Sequence, residues 1–234
     1  MMEVIYEDNH IIIVNKKSGE IVQGDKTGDC PLSDLVKAYL KEKYQKPGAV
    51  FLGVVHRLDR PVAGLVMFAR TSNALSRLNE MFRKGEVHKT YWAIVSGEPL
   101  ASRNLRAGEW HTLEHWLVRN EKQNKSYAYS HKVPGSKQCL LKYRLIGHSD
   151  RYSLLEINLM TGRHHQIRCQ LAAMGCPIKG DLKYGARRSN PDGSISLLSH
   201  RMEFVHPVSK EDIRLESPLP ADNLWHSMKI ISDL

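Results

Sequence analysis

Apolar residues in this chain fall into short blocks, and the blocks differ in period. "IIIV" (Ile11 to Val14), "LGVV" (Leu52 to Val55) and "LVMFA" (Leu65 to Ala69) are continuous runs bounded by polar or turn residues. Such runs read as strands buried on both faces. The stretch from His10 to Val22 predicts a strand, a turn at Ser18-Gly19 and a second strand. "KTYWAIVSG", from Lys89, predicts another strand. Cys139 to Met160 predicts a hairpin turning around Gly147 to Asp150, and strands return at Ser196 to Pro207 and Ile213 to Pro220. Helical period appears elsewhere. Ser33 to Gln45 predicts a helix capped by Ser33, with Leu35, Val36, Tyr39 and Leu40 inward. Ser72 to Gly85 predicts a second, capped by Ser72, with Leu75, Leu78 and Phe82 inward and Gly85 as its stop. His164 to Gly175 predicts a third, with Ile167, Leu171 and Met174 inward and Arg168 about 100° round from Ile167. Between Glu98 and Gly135 the chain is polar and aperiodic, and at most short strands of an insert are expected. Strands and helices mix without strict βαβ alternation, which indicates an α+β fold with mainly antiparallel pairing.

With 234 residues the chain can bury a full core without disulfides or metals, and one domain, 1–234, is expected. No apolar run reaches membrane-spanning length. The N-terminus places acids before a short apolar run, unlike a secretory signal, so a cytoplasmic address is expected. Four cysteines, at 30, 139, 169 and 176, form no C-x-x-C pair and read as dispersed reduced thiols. The net charge is +9, unevenly spread: Arg119 to Arg144 holds seven Lys or Arg against one acid, Glu121. Further cations gather at Lys179, Lys183, Arg187 and Arg188. Such a field attracts phosphate polyanions. It is equally compatible with a solvated basic surface, so charge alone does not choose a partner.

Three stretches carry candidate chemistry. In "HRLDRPVAG" (His56 to Gly64), Arg57 and Asp59 stand two residues apart between two buried runs, where a loop presents side chains rigidly. A lone R-x-D also reads as a surface Arg and a turn Asp. The second stretch is "EVHKTYWAIV" (Glu86 to Val95). The third is "LMTGRHHQIRCQLAAMGCPIKGDLKYG" (Leu159 to Gly185). His164 and His165, placed on a helix, would diverge, and no H-E-x-x-H or cysteine pair supports a metal. No G-x-x-x-x-G-K-[ST] loop indicates a nucleotide cofactor.

Taken in order, these stretches resemble the RluA-type family of uridine-to-pseudouridine isomerases. Its pattern runs H-R-L-D-x-x-T-S-G-L, K-x-Y-x-A-x-V, T-G-R-T-H-Q-I-R and I-x-G-D-x-x-Y-G. The resemblance extends from "YEDNHIIIVNKKSG" to "SHRMEFVHP" and "ESPLP". Three places depart: Val62-Ala63 replace Thr-Ser, His164 replaces Thr, and Asn15-Lys16-Lys17 replace N-K-P. Many relatives carry an N-terminal S4-like domain, which is expected to be absent here.

The resemblance implies an α+β pseudouridine synthase fold, a large bent mixed sheet, mostly antiparallel, in two halves flanked by helices, with the site in a central cleft. It implies isomerisation of uridine in structured rRNA or tRNA with no cofactor and no metal. Uracil leaves C1′ through N1, turns, and rejoins through C5. Asp59 would act ionised, by adding to C1′ or to the base or by taking a proton from C2′. A carboxylate buried in a base-sized pocket tends to neutralise, and a guanidinium opposes this. By resemblance Arg168 is that cation and Ile167 packs beside the carboxylate and base. Tyr91 would stack on the flipped base and help with the C5 proton. A stacked uridine must be extruded first, and Arg57 would hold the opened RNA. Lys89 is expected at phosphate or as a plain surface lysine. Arg163, His165 and Gln166 are expected to open the third helix and meet the RNA backbone, with local capping and packing as the alternative. The partner expected is RNA, with no membrane and no obligatory protein partner, and a monomer. Small substrates such as tRNA stem-loops are slightly favoured. Two rivals are a non-catalytic RNA-binding or chaperone protein on the same fold and a metal-dependent RNA hydrolase.

Overall fold

The computed structural model describes residues 2–96 and 108–231. The chain divides into two compact units, Met1–Lys89 with Ser199–Pro218, and Thr90–Leu198 with Leu219–Leu234.

In the first unit β1 (Glu3–Glu7) pairs with β2 (Ile11–Lys16), and β2 pairs with β4 (Ala63–Ala69), from Ile11 opposite Ala69 to Lys16 opposite Gly64. The short β3 (Gly53–Val54) lies on β4, as does β10 (Leu197–Val205), which carries β11 (Asp212–Glu216) on its other side. Ile11 to Val14 are fully buried, which is why this strand reads as a continuous apolar run. Ile11, Ile13, Leu65, Met67 and Ala69 share one sheet face and pack with Ala74, Leu78 and Met81 of α2 (Ser72–Lys84) and with Met202 and Phe204 of β10. Each such buried Ile or Leu contributes roughly 1.5–3 kcal/mol. The helix starts one residue earlier in capping terms than expected: Thr71, not Ser72, is the cap and accepts the Ala74 amide at 3.1 Å. Gly85 ends it in the left-handed region, as predicted.

Three expectations fail in this unit. Helix α1 spans Leu32–Lys43, with Pro31 as its cap residue and Ser33 buried inside its first turn. The strand expected over Ile21-Val22 is not formed. The carbonyls of Ile21 and Val22 accept the amides of Leu32 and Ser33 at 2.7 and 3.1 Å. Backbone from the preceding segment therefore satisfies the open donors of the helix start, the work expected of a Ser side chain. Leu35, placed inward by period, is 40% exposed, and Leu32 is buried instead.

The second unit orders its strands β5 (His88–Val95), β9 (Ser153–Leu159), β8 (Lys137–His148), β6 (His111–Asn120), β7 (Lys125–Tyr129), with β12 (Lys229–Ile230) on β8. The β5–β9, β9–β8, β8–β6 and β6–β7 ladders are antiparallel. The β8–β9 hairpin matches its prediction. The middle segment does not: it contains a ten-residue strand, β6, paired on both sides. Its first residues, 98–107, lie outside the described residues. Helix α3 (Gln166–Ala173) packs Cys169 and Ala172 against Leu117, Ala128, Cys139 and Tyr184. It begins at Gln166, two residues later than expected. With strands dominant and few helices, the fold is α+β as the sequence indicates.

Candidate active site

In the first unit, the R-x-D loop joins β3 to β4. Leu58 is buried, Arg57 on one side is exposed and Asp59 on the other is partly buried. The turn after Asp59 closes with the Val62 amide donating to the Asp59 carbonyl at 3.0 Å. Its next carbonyls are all occupied from one segment. Lys16 Nζ donates to Arg60 and Val62 at 3.0 and 2.6 Å, and to Lys17 at 3.0 Å. The Gly19 amide donates to Arg60, and the Ser18 hydroxyl to Pro61 at 3.3 Å. Arg60 itself reaches Asp29 at 2.6 Å. Lys16 has no solvent exposure. Burial pushes its pKa down to about 8, while Glu20 and Asp59 act in the opposite sense. The "NKKSG" segment is thus the mould in which the Asp59 loop is cast. Gly64 completes it: its φ is +114°, and a Cβ there would sit 2.3 Å from the Ser199 carbonyl oxygen.

Lys16→Met keeps the stem and removes the donor. A buried acceptor left unsatisfied costs about 1–3 kcal/mol, and the Val62 carbonyl loses its 2.6 Å donor while those of Arg60 and Lys17 keep the Gly19 and Glu20 amides. The expected result is a loss of about 2–3 kcal/mol, read as a lower urea midpoint; an unchanged midpoint would mean that other donors replace the ammonium.

His56, one residue before Arg57, uses its ring as a backbone substitute. Its Nε2 accepts the Met67 amide at 3.0 Å, and the ring stacks on Phe82 with centroids 5.0 Å apart. Only the neutral ring can accept. Burial, aided by the charge of Lys89, pushes its pKa down to about 3. The unfolded chain therefore binds this proton first, and stability due to neutral His56 is present above pH ~6.5 and lost as pH falls toward 3. Urea midpoints should drop over that window. In His56→Gln, whose side-chain carbonyl can accept the same amide, the drop should be shallower; an identical pH profile would count against this assignment.

Lys89 lies on β5 with its ammonium 5.2 Å from the Phe82 ring centroid, and burial lowers its pKa. Two residues on, Tyr91 is buried, opposite Ile157 of β9.

In the second unit the third motif forms a pinned loop before α3. Gln166 Oε1 accepts the Thr161 hydroxyl at 2.8 Å and the Arg163 amide at 3.0 Å, and its amide nitrogen donates to the Leu140 carbonyl. Arg163 is exposed at the crest of this loop. His165 holds the left-handed conformation, φ 51°, just before the helix. The two histidines do not diverge on a helix, because neither is in one. Their rings stack with centroids 3.8 Å apart. His164 Nε2 meets Asn124 Oδ1 at 3.0 Å and its Nδ1 meets the Ser126 hydroxyl at 2.9 Å. His165 Nδ1 meets the Tyr184 hydroxyl at 3.0 Å, and that oxygen also accepts the Ser126 amide at 2.8 Å. His165, Gln166 and Ile167 are all buried. The His165 side chain makes no capping bond to the start of the helix, Gln166 ties the loop that precedes it, and Arg163 is turned to solvent.

Arg168 is buried and forms a bidentate pair with Asp181: Nε to Oδ2 at 2.7 Å and Nη2 to Oδ1 at 2.9 Å. Its guanidinium also lies 5.2 Å from the Tyr184 ring centroid. Asp181 starts a single 3₁₀ turn, Leu182–Tyr184, so one short segment delivers both the carboxylate and the ring. Burial pushes the Tyr184 phenol up to about 12, which keeps it neutral. Sequence reading assigned no role to Lys16, Asp181 or Tyr184. The G-D-x-x-Y-G spacing was the available signal for the last two.

Comparison with known proteins matches this arrangement to a family. The model of the RNA pseudouridylate synthase family matches residues 10–173. A ribosomal large subunit pseudouridine synthase D of Xanthomonas campestris is 31% identical over 94% of this chain and 67% of its own length. A ribosomal large subunit pseudouridine synthase C of Vibrio cholerae is 31% identical over 93% of this chain and 66% of its own. The chain thus spans about two-thirds of the length of these relatives. In fold it is similar to human RNA pseudouridylate synthase domain containing 4, with a TM-score of 0.75 and 20% identity over 94% of this chain and 89% of that one. With the motifs in order, the Asp59 loop moulded by Lys16 and the Arg168 guanidinium buried beside Asp181, the chain belongs to the RluA-type RNA pseudouridylate synthase family.

Proposed function

We propose that this protein isomerises specific uridines of a structured RNA to pseudouridine, with Asp59, Tyr91 and Arg168 carrying the reaction. The observation that supports this most is the amount of structure spent on the Asp59 turn: the carbonyls of Arg60, Pro61 and Val62 are all held from the Lys16–Gly19 segment. A turn fixed by backbone anchors presents its carboxylate in one place, as a near-attack geometry requires. Asp59 acts as the ionised group, Arg168 as the cation that favours that form, and Tyr91 as the face against the flipped base. Arg57, exposed beside Asp59, takes the RNA strand from which the uridine leaves. Lys89 and Arg163 contact phosphate. His165 and Gln166 act from behind, by fixing the Arg163 loop, and Ile167 packs at the base. The chemistry is redox-neutral, and no cofactor is invoked.

The two relatives described above are named for the large ribosomal subunit, which favours rRNA over the small tRNA substrates suggested by sequence. The same names favour an isomerase over a non-catalytic RNA-binding protein. The test is tritium release from RNA labelled at uridine C5, taken from cells lacking this protein, with chelator present and the rRNA and tRNA fractions assayed separately. Release with RNA length preserved supports the proposal and identifies the substrate class. Shortened RNA, or binding without release from either fraction, would overturn it.

A further inference from the structure

We propose that the solvent-facing side of the β6–β7 hairpin is a stacking platform for unpaired nucleotides of the bound RNA; this rests on the RNA-directed reading above. The hairpin has two unlike faces. Leu117 and Ser126 turn inward and are buried. On the other face the register sets Trp116 opposite Tyr129 and Val118 opposite Tyr127. Both tyrosines are 39% exposed. Two exposed tyrosines and the half-buried Trp116 therefore stand together on the face opposite Leu117 and Ser126.

Cations accompany the rings. Lys125 lies 5.6 Å from the Tyr127 ring centroid and Lys132 lies 5.8 Å from Trp116. The Tyr127 hydroxyl donates to Gln123 Oε1, which fixes that ring. An open concavity of about 610 Å³ lies over this face, lined by both tyrosines, Val118, Arg119, Asn120 and Lys122, with Glu121 the single acid among its lining residues. Rings two residues apart on a strand are separated by about 7 Å, roughly twice the 3.4 Å rise of stacked bases. That spacing admits a base beside each ring. Aromatic faces interleaved with cations are the chemistry of single-strand binding, because every base has a π-face and every nucleotide a phosphate. A duplex hides its base faces and would use only the cations.

The hairpin turn is also fastened to the third motif. Asn124 accepts Lys183 Nζ on its carbonyl at 3.1 Å and meets His164 through its side chain. RNA whose backbone follows Arg163 is thereby led onto this hairpin, next to a residue that departs from the family pattern.

The test uses fluorescence anisotropy on the full chain with a short labelled pyrimidine RNA that forms no duplex, an RNA duplex of equal length, and a poly-glutamate peptide. Thr keeps the strand propensity of Tyr, so Tyr127→Thr with Tyr129→Thr should fold, as thermal melting will verify. That pair should weaken single-strand binding about tenfold or more and duplex binding less than about twofold. Tyr127→Phe with Tyr129→Phe should bind as wild type. Equal losses on both RNAs, no loss on either, or a matching loss on the peptide would overturn the platform. If the wild-type chain binds RNA and the Thr pair binds equally well, the platform alone fails. If the wild-type chain binds neither RNA, the reading of the substrate class fails with it.

Discussion

Asp59→Asn protein is expected to bind RNA with wild-type affinity and to release no tritium from uridine C5, a fall in turnover of at least about 10³-fold. The two side chains are nearly isosteric, so the effect isolates ionisation. An amide can neither add to carbon as a carboxylate nor accept a proton at C2′, so every route open to Asp59 closes. The fold should survive the change. The turn is held through backbone carbonyls by Lys16, Ser18 and Gly19, and none of those bonds involves the carboxylate. Removing the charge also takes away one of the two carboxylates that favour charged Lys16, so the Lys16 pKa should fall further from about 8. Binding is measured by filter retention and turnover by tritium release. Full turnover by this variant would remove Asp59 from the chemistry, and loss of binding would make it a positioning residue for RNA instead.

Arg168→Ala is expected to lose both stability and activity. It strands Asp181, which is 1% exposed and bonded to Arg168 through both oxygens. Breaking such a pair from one side costs roughly 3–5 kcal/mol, because the remaining charge stays buried. Arg168→Lys should recover little, since an ammonium cannot supply the bidentate fork. The informative variant removes both charges. Arg168→Met with Asp181→Leu replaces the pair by apolar side chains, a change that is often neutral in a core. Its urea midpoint should return to within about 1–2 kcal/mol of wild type, while tritium release stays absent because the cation is gone. A stable and active double variant would confine Arg168 to a structural role and leave Asp59 without it.

The sequence by itself determined the elements whose burial is complete or strictly periodic. Ile11 to Val14 and Leu65 to Ala69 are strands because a short apolar run that is covered on both faces needs no alternation. Helix α2 and its end are legible because Gly85 needs no side chain in the left-handed region. The R-x-D loop, the third motif and the family they indicate were legible as well, because chemistry restricts residue identity more tightly than packing does. The long strand β6 was hidden. Its inward positions include His111 and His115, which count as polar by composition yet present their rings to the interior: His111 packs on Tyr143 and His115 meets Gln170. Ser33 offered a cap that backbone carbonyls had already supplied. The stacked pair His164-His165 became visible only once the helix was seen to begin at Gln166. Tertiary structure alone decided which donor holds the Asp59 turn and which carboxylate holds Arg168. Lys16 and Val62 are 46 positions apart, and Arg168 and Asp181 are 13. Hydrogen bonds of that span depend on how strands and turns return through space, and neither local period nor composition records that return.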